Sequence, residues 1–209
     1  MKYVAFFISC LLVLATFAPE GFAQVRLNEI LGDPATDWNG DGNVDSKLDE
    51  WVEIVNTGAS PVDLSRFRIS DASAGESFRF ALSGTIAPGE VRVYYGSDVV
   101  AWQAANGVAQ FGLSLNNSGD TVSLYEVNGA DIAVADARAY ATAEVANDRS
   151  IGRMPSGTGD WVIFDALNPY TGTQPPVATG CSPSPGETVA CPTPTQASTW
   201  GRVKALYRG

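Results

Sequence analysis

Asp37-Trp-Asn-Gly-Asp-Gly-Asn-Val-Asp45 runs through Ser46-Lys-Leu-Asp-Glu50 into Trp51-Val-Glu-Ile-Val-Asn56, so a series of oxygen-bearing side chains empties into an apolar, β-branched segment. Asp37, Asn39, Asp41, Asn43 and Asp45 recur at every second position. A curved loop can aim such a series at one centre, and a hard cation such as Ca²⁺ takes about six to eight oxygen ligands. Gly40 and Gly42 supply backbone that tolerates φ > 0 where the loop must curl. The pattern matches the first half of a D-x-D/N-x-D/N-G calcium loop. Its end departs from an EF-hand: the position due a bidentate glutamate is Leu48, and Asp49 and Glu50 arrive one and two residues late. Gly32-Asp-Pro34 cannot close an entering helix, and Trp51 to Val55 reads as a strand. The expectation is a Ca²⁺ loop over 37–50 between two strands. Its ligands are Asp37, Asn39, Asp41, Asp45, the Asn43 carbonyl and an acid from Asp49 or Glu50. The alternative is a solvated loop of Asx-turns with no metal.

Outward from this stretch the chain keeps one texture from Gln24 to Asp165: short β-rich runs separated by Gly, Pro, Asn and Ser. The runs are Val25–Leu31, Trp51–Asn56, Phe67–Ser70, Ser77–Leu82, Val91–Tyr95, Thr121–Val127, Ile132–Tyr140 and Trp161–Phe164. Ala87-Pro-Gly-Glu90 is a turn with proline and glycine at the positions that favour them. Asn128-Gly129 between two of the runs is a strong hairpin signal. Only Asp98 to Asn106 admits a helical turn. Short strands at this spacing predict an all-β, antiparallel sandwich.

The two ends differ from this body. Met1-Lys2, an apolar run from Tyr3 to Ala18 and the small residues Gly21 and Ala23 describe a signal peptide over 1–23. The run is short for a membrane span, so no transmembrane segment is expected once it is removed. Beyond Asp165 come seven of the twelve prolines, which predict a Pro/Thr/Ser-rich, disordered linker over 166–197. A short basic amphipathic segment over 198–209 follows, with Trp200, Val203, Leu206 and Tyr207 at helical spacing. Such a tether with a tip serves attachment, or docks back on the sandwich. Of the three cysteines, Cys10 leaves with the signal, and Cys181 and Cys191 are an even pair suited to a disulfide in an exported protein.

Acids outnumber bases 23 to 13, and histidine is absent. A net charge of −10 argues against nucleic acid as partner. Without histidine there is no Ser-His-Asp triad and no His-ligated zinc.

Val25-Arg-Leu-Asn-Glu-Ile-Leu31, Asp49-Glu-Trp-Val-Glu-Ile-Val-Asn-Thr-Gly58 and Pro61-Val-Asp-Leu-Ser-Arg-Phe-Arg-Ile-Ser-Asp71 resemble the lamin-tail domain. Ile86-Ala-Pro-Gly-Glu90, Leu115-Asn-Asn-Ser-Gly-Asp-Thr-Val-Ser-Leu-Tyr125 and Ser150 to Trp161 continue the resemblance in order. It implies an immunoglobulin-like β-sandwich and, by similarity to bacterial secreted modules, an accessory rather than catalytic role.

The function expected from these readings is an exported, non-catalytic, calcium-stabilised binding or structural module, secreted or at the cell surface, with an unknown extracellular partner. Two other classes compete with it. A metal-dependent hydrolase would use Asp41, Asp45, Glu50 and Glu53. A carbohydrate-binding module would stack sugars on Trp38, Trp102, Trp161, Tyr94, Tyr95 or Tyr140.

Overall fold

The computed structural model describes residues 24–188, and the expected signal peptide over 1–23, Cys191 and the basic C-terminal segment lie outside the described residues. Among the described residues eleven strands form in chain order: β1 (Val25–Leu31), β2 (Trp51–Asn56), β3 (Val62–Asp63), β4 (Phe67–Ser70), β5 (Phe80–Ala81), β6 (Thr85–Ile86), β7 (Val91–Tyr95), β8 (Gly119–Asn128), β9 (Asp131–Ala141), β10 (Ser150–Met154) and β11 (Asp160–Phe164). One sheet runs β11-β10-β1-β2-β7, the other β5-β4-β8-β9, and β3 pairs β6 at the side. All pairings within the sheets are antiparallel. The result is an immunoglobulin-like β-sandwich. Leu27, Ile30, Val52, Ile54, Ile151 and Ile163 of the first sheet meet Phe67, Ile69, Val122 and Leu124 of the second in its core.

The runs expected as strands form, with one adjustment. Of Ser77–Leu82 only Phe80–Ala81 pairs, because a 3₁₀ turn occupies Gly75–Ser77. Three strands carry too little alternation to stand out: β3, β6 and β10, whose Ser150-Ile-Gly-Arg-Met154 holds one core side chain. Asn128 pairs with Asp131 to close the β8–β9 hairpin, with Gly129 at φ 65°. The helical turn is a full helix, α1 (Gly96–Ala105). Its start is fastened to the acidic stretch, where Gly96 N–H donates to Glu50 O (2.7 Å) and Ser97 N–H to Leu48 O (3.0 Å). A Cβ at Gly96 would lie 1.8 Å from the Lys47 carbonyl oxygen, so only glycine admits this approach.

A bulge in β1 decides which way its charged residue points. Leu27 opposes Ile54, but Glu29 opposes Glu53 and Ile30 opposes Val52, leaving Asn28 as the extra residue. Leu27 and Ile30 thus share the core face although three positions apart. Glu29 and Leu31 turn outward with Glu53 and Trp51. This outer face is nonetheless dry: Glu29, Leu31, Trp51, Glu53 and Phe164 all have zero exposure.

What covers it includes the segment expected to be a disordered linker. Among the described residues 166–188, the chain is extended but bonded to the sandwich. Ile163 N–H donates to Val177 O (2.9 Å), Thr179 N–H to Ile163 O (3.0 Å) and Ala166 N–H to Cys181 O (2.9 Å). Arg149, buried behind β10, donates to the carbonyls of Asn168 and Pro169 and stacks on Tyr170. Proline-rich composition signals an extended backbone, yet extended backbone also suits the edge of a sheet, and β11 needed its edge covered. The boundary expected at Asp165 therefore moves to at least Thr188.

Candidate functional site

The acidic loop lies between β1 and β2, as its sequence implies, and is built almost wholly from side-chain oxygens accepting backbone N–H groups. Asp37 Oδ1 accepts from Gly40 N–H (2.8 Å) and Asp41 N–H (3.1 Å), and its Oδ2 from Gly42 N–H (2.8 Å). Asn39 Oδ1 accepts from Asp41 N–H (2.9 Å), and Asp41 Oδ1 from Asn43 N–H (2.8 Å). Gly40 and Gly42 have φ of 75° and 91°, as the curl demands. Asp45 Oδ1 takes the Leu48 and Lys47 N–H groups (2.9 and 2.8 Å), which hold its carboxyl below the usual range.

The two acids at the end of the loop part company. Asp49 has zero exposure and is the loop's internal clasp: Oδ1 accepts from the N–H groups of Trp38 and Asn39 (both 2.9 Å), and Oδ2 from Asp45 N–H (2.7 Å). Glu50 turns away, its Oε2 accepting from Leu115 N–H (3.2 Å). It lines a cleft of about 840 Å³ with Asp71, Asp120, Asn116 and Thr121. Burial, with Asp120 and Asp71 adding their charge, pushes its carboxyl up to about 9. Of the candidate ligands, then, the structure keeps Asp37, Asn39, Asp41, Asn43, Asp45 and Asp49 in one loop and sets Glu50 apart. Among the described residues no three acidic or thiol side chains converge as a preformed metal cluster.

A residue that sequence reasoning missed holds the whole loop to the sandwich. Asp148, at φ 58°, accepts from Ala35 N–H (2.8 Å), Thr36 N–H (3.1 Å) and the Trp38 indole (2.8 Å) through Oδ1, and from the Thr36 hydroxyl (2.5 Å) through Oδ2. The one signal was Asn147-Asp148, residues that tolerate a left-handed backbone. Its partners lie more than 100 positions away, beyond any local pattern.

The competing constellations do not assemble. Asp41 and Asp45 sit on the exposed loop. Glu50 faces the cleft, and Glu53 accepts from Asn28 and Gly186 on the outer sheet face. The aromatic residues are equally scattered. Trp38 packs edge-on to Trp51 and Tyr94 and Trp102 on Phe80, Trp161 lies under Arg138 and Arg153, and Tyr140 is buried.

The lamin tail domain family matches the chain over residues 18–139, from before β1 to near the end of β9. No curated protein and no solved structure matches it at a significant level.

Proposed function

We propose, from the premise that this chain belongs to the lamin tail domain family, that it is an exported, non-catalytic binding or structural module whose loop 37–49 is stabilised by Ca²⁺. The observation that carries the reading is the loop itself. Asp37, Asn39, Asp41 and Asp45 already fold the backbone into a curl, and each carboxylate or amide oxygen retains lone pairs at half-buried or exposed positions. An all-oxygen donor set of this kind suits a hard cation. Like charges hold the carboxylates apart until an ion draws them together. Asp49 serves as the clasp that fixes the loop's two ends, in place of a twelfth-position ligand. Export is supported by the leader-like N-terminus and by the paired cysteines, Cys181 and Cys191, for which we propose a disulfide.

A thermal melt with calcium and with chelator tests the reading. An ion bound only by the folded state, at one hundred times its dissociation constant, stabilises by about 2.7 kcal/mol. The melting temperature should rise with calcium, and Asp41→Ala should abolish the rise while leaving the chelated protein nearly unchanged. Equal melting with and without chelator rejects the calcium site.

A further inference from the structure

Glu29 and Glu53 form a carboxyl pair with no exposure to solvent, directly opposite one another on β1 and β2 because of the bulge at Asn28. Like charges in that position repel, and burial removes the water that would screen them. No Lys or Arg among the described residues bonds to either; their partners are Ser150, Ser184, Asn28 and Gly186. The ionisable groups nearby are acidic as well: Tyr95 on β7 feels Asp98, Glu53 and Asp49, and Glu187 follows on the covering segment.

That cover is residues 177–187, which pair with β11 at Ile163 and then cross toward β7, where Gly186 comes within reach of Val93. Ser184 donates to Glu29 through its N–H (3.1 Å) and hydroxyl (2.8 Å), and Gly186 N–H donates to Glu53 (2.6 Å). Pro183 and Pro185 alternate with these donors and have no N–H to leave unpaired. An extended strap thus delivers a donor at every second residue to carboxyls on adjacent strands.

The two carboxyls differ in their capacity for a proton. Glu53 faces the Asn28 amide (2.6 Å) and the Gly186 N–H, neither of which can become an acceptor. Asn28 cannot flip, because its Oδ1 accepts from Gly157 N–H (2.7 Å). Glu29 faces the hydroxyls of Ser150 (2.6 Å) and Ser184, and a hydroxyl can rotate and accept. The proton of the pair therefore belongs on Glu29. Burial, chiefly, lifts Glu29 to about 8 and Glu53 to about 7, the same order.

We propose that the strap 177–187 is a proton-operated latch, closed while the Glu29–Glu53 pair keeps a proton and opening to hydrate the pair and bare the outer sheet face as that proton leaves. The closed form holds protons that the open form releases. Closure is therefore strongest below the ordinary glutamate range, weakens as pH rises through about 7 and about 8, and changes no further above.

Hydrogen exchange of the Ser184 and Gly186 amides in the full chain tests this between pH 5 and 9, corrected for chemical exchange. Carbon-13 titration of the two carboxyls runs beside it. Protection should fall roughly tenfold or more between pH 5 and 8 and then level off. Amides of Leu27 and Ile54 should stay better protected than the strap at every pH, falling only as far as global stability falls, and Glu29 should titrate last, in step with the strap. Glu29→Gln should remove most of the fall. Flat protection in the wild-type chain, carboxyls titrating in the ordinary range, or an undiminished fall in Glu29→Gln would overturn the latch. The first two readings need no variant, so they decide the matter even where Glu29→Gln does not fold.

Discussion

Asp49 and Asp148 show how a single carboxylate can organise backbone far beyond its own position. Each accepts three or more hydrogen bonds from donors on half-buried or exposed residues. An orphaned buried donor costs about 1–3 kcal/mol. Asp49→Ala leaves its donors partly within reach of water, and should lower unfolding stability by about 1–3 kcal/mol in urea titrations and also erase the calcium shift, because the loop ends part. Asp148→Ala should cost a similar amount but leave a weakened calcium shift, since it anchors the loop without shaping its curl. Gly152 matters for the opposite reason, the side chain it lacks. A Cβ there would lie 2.6 Å from the Phe164 ring and 3.0 Å from Glu29 Cγ. Gly152→Ala must push β10, Phe164 or Glu29 aside, and should destabilise by about 1–3 kcal/mol.

At the scale of elements the strap matters most. It covers the β11 edge through Ile163 and supplies the donors for Glu29 and Glu53. Ending the chain at Asp165 would expose that edge and wet a face that holds Phe164 and Trp51 at zero exposure. Each such side chain is worth about 1.5–3 kcal/mol when fully buried. The shortened chain should melt well below the full one and bind a hydrophobic dye in its native baseline. A melting temperature equal to that of the full chain would show the strap to be ornamental. The β1 bulge sets the strap's target: plain alternation places Val25, Leu27, Glu29 and Leu31 on one face, and the extra residue sends the last two to the other.

For the molecule as a whole, the buried acids set the pH of greatest stability. Burial raises Glu50, Glu29 and Glu53, to about 9, about 8 and about 7. Raised carboxyls favour folding below their unfolded values, and that contribution is lost as pH climbs through the folded ones. Asp71 works in the opposite sense. Burial there is outweighed by Arg79, Ser73 and Ala74, so its pKa is lowered and its contribution disappears only in strong acid. In metal-free buffer the urea midpoint should therefore be higher at pH 5.5 than at pH 8.5. A midpoint that rises steadily toward pH 8.5 would contradict the burial of these side chains.

Local chemistry was enough for much of this protein. The runs of β-branched residues, the Asn128-Gly129 turn and the ordered segments of the lamin-tail resemblance establish a sandwich, because strand propensity and turn type depend on neighbours in sequence. The curl of loop 37–49 was legible for the same reason: its oxygens bond N–H groups two to five residues on. Tertiary structure alone decided the rest. Glu50 leaves the loop because Leu115 offers it an N–H across 65 positions, and Asp148 enters the site because Ala35 and Thr36 arrive from 113 and 112 positions away. Glu29 meets Glu53 only after a bulge has shifted the register, and the proline-rich segment becomes a strap only where two carboxyls and an open edge wait for its N–H groups. A buried polar group must find a partner, and which partner is within reach is set by packing between distant segments, which no local pattern records.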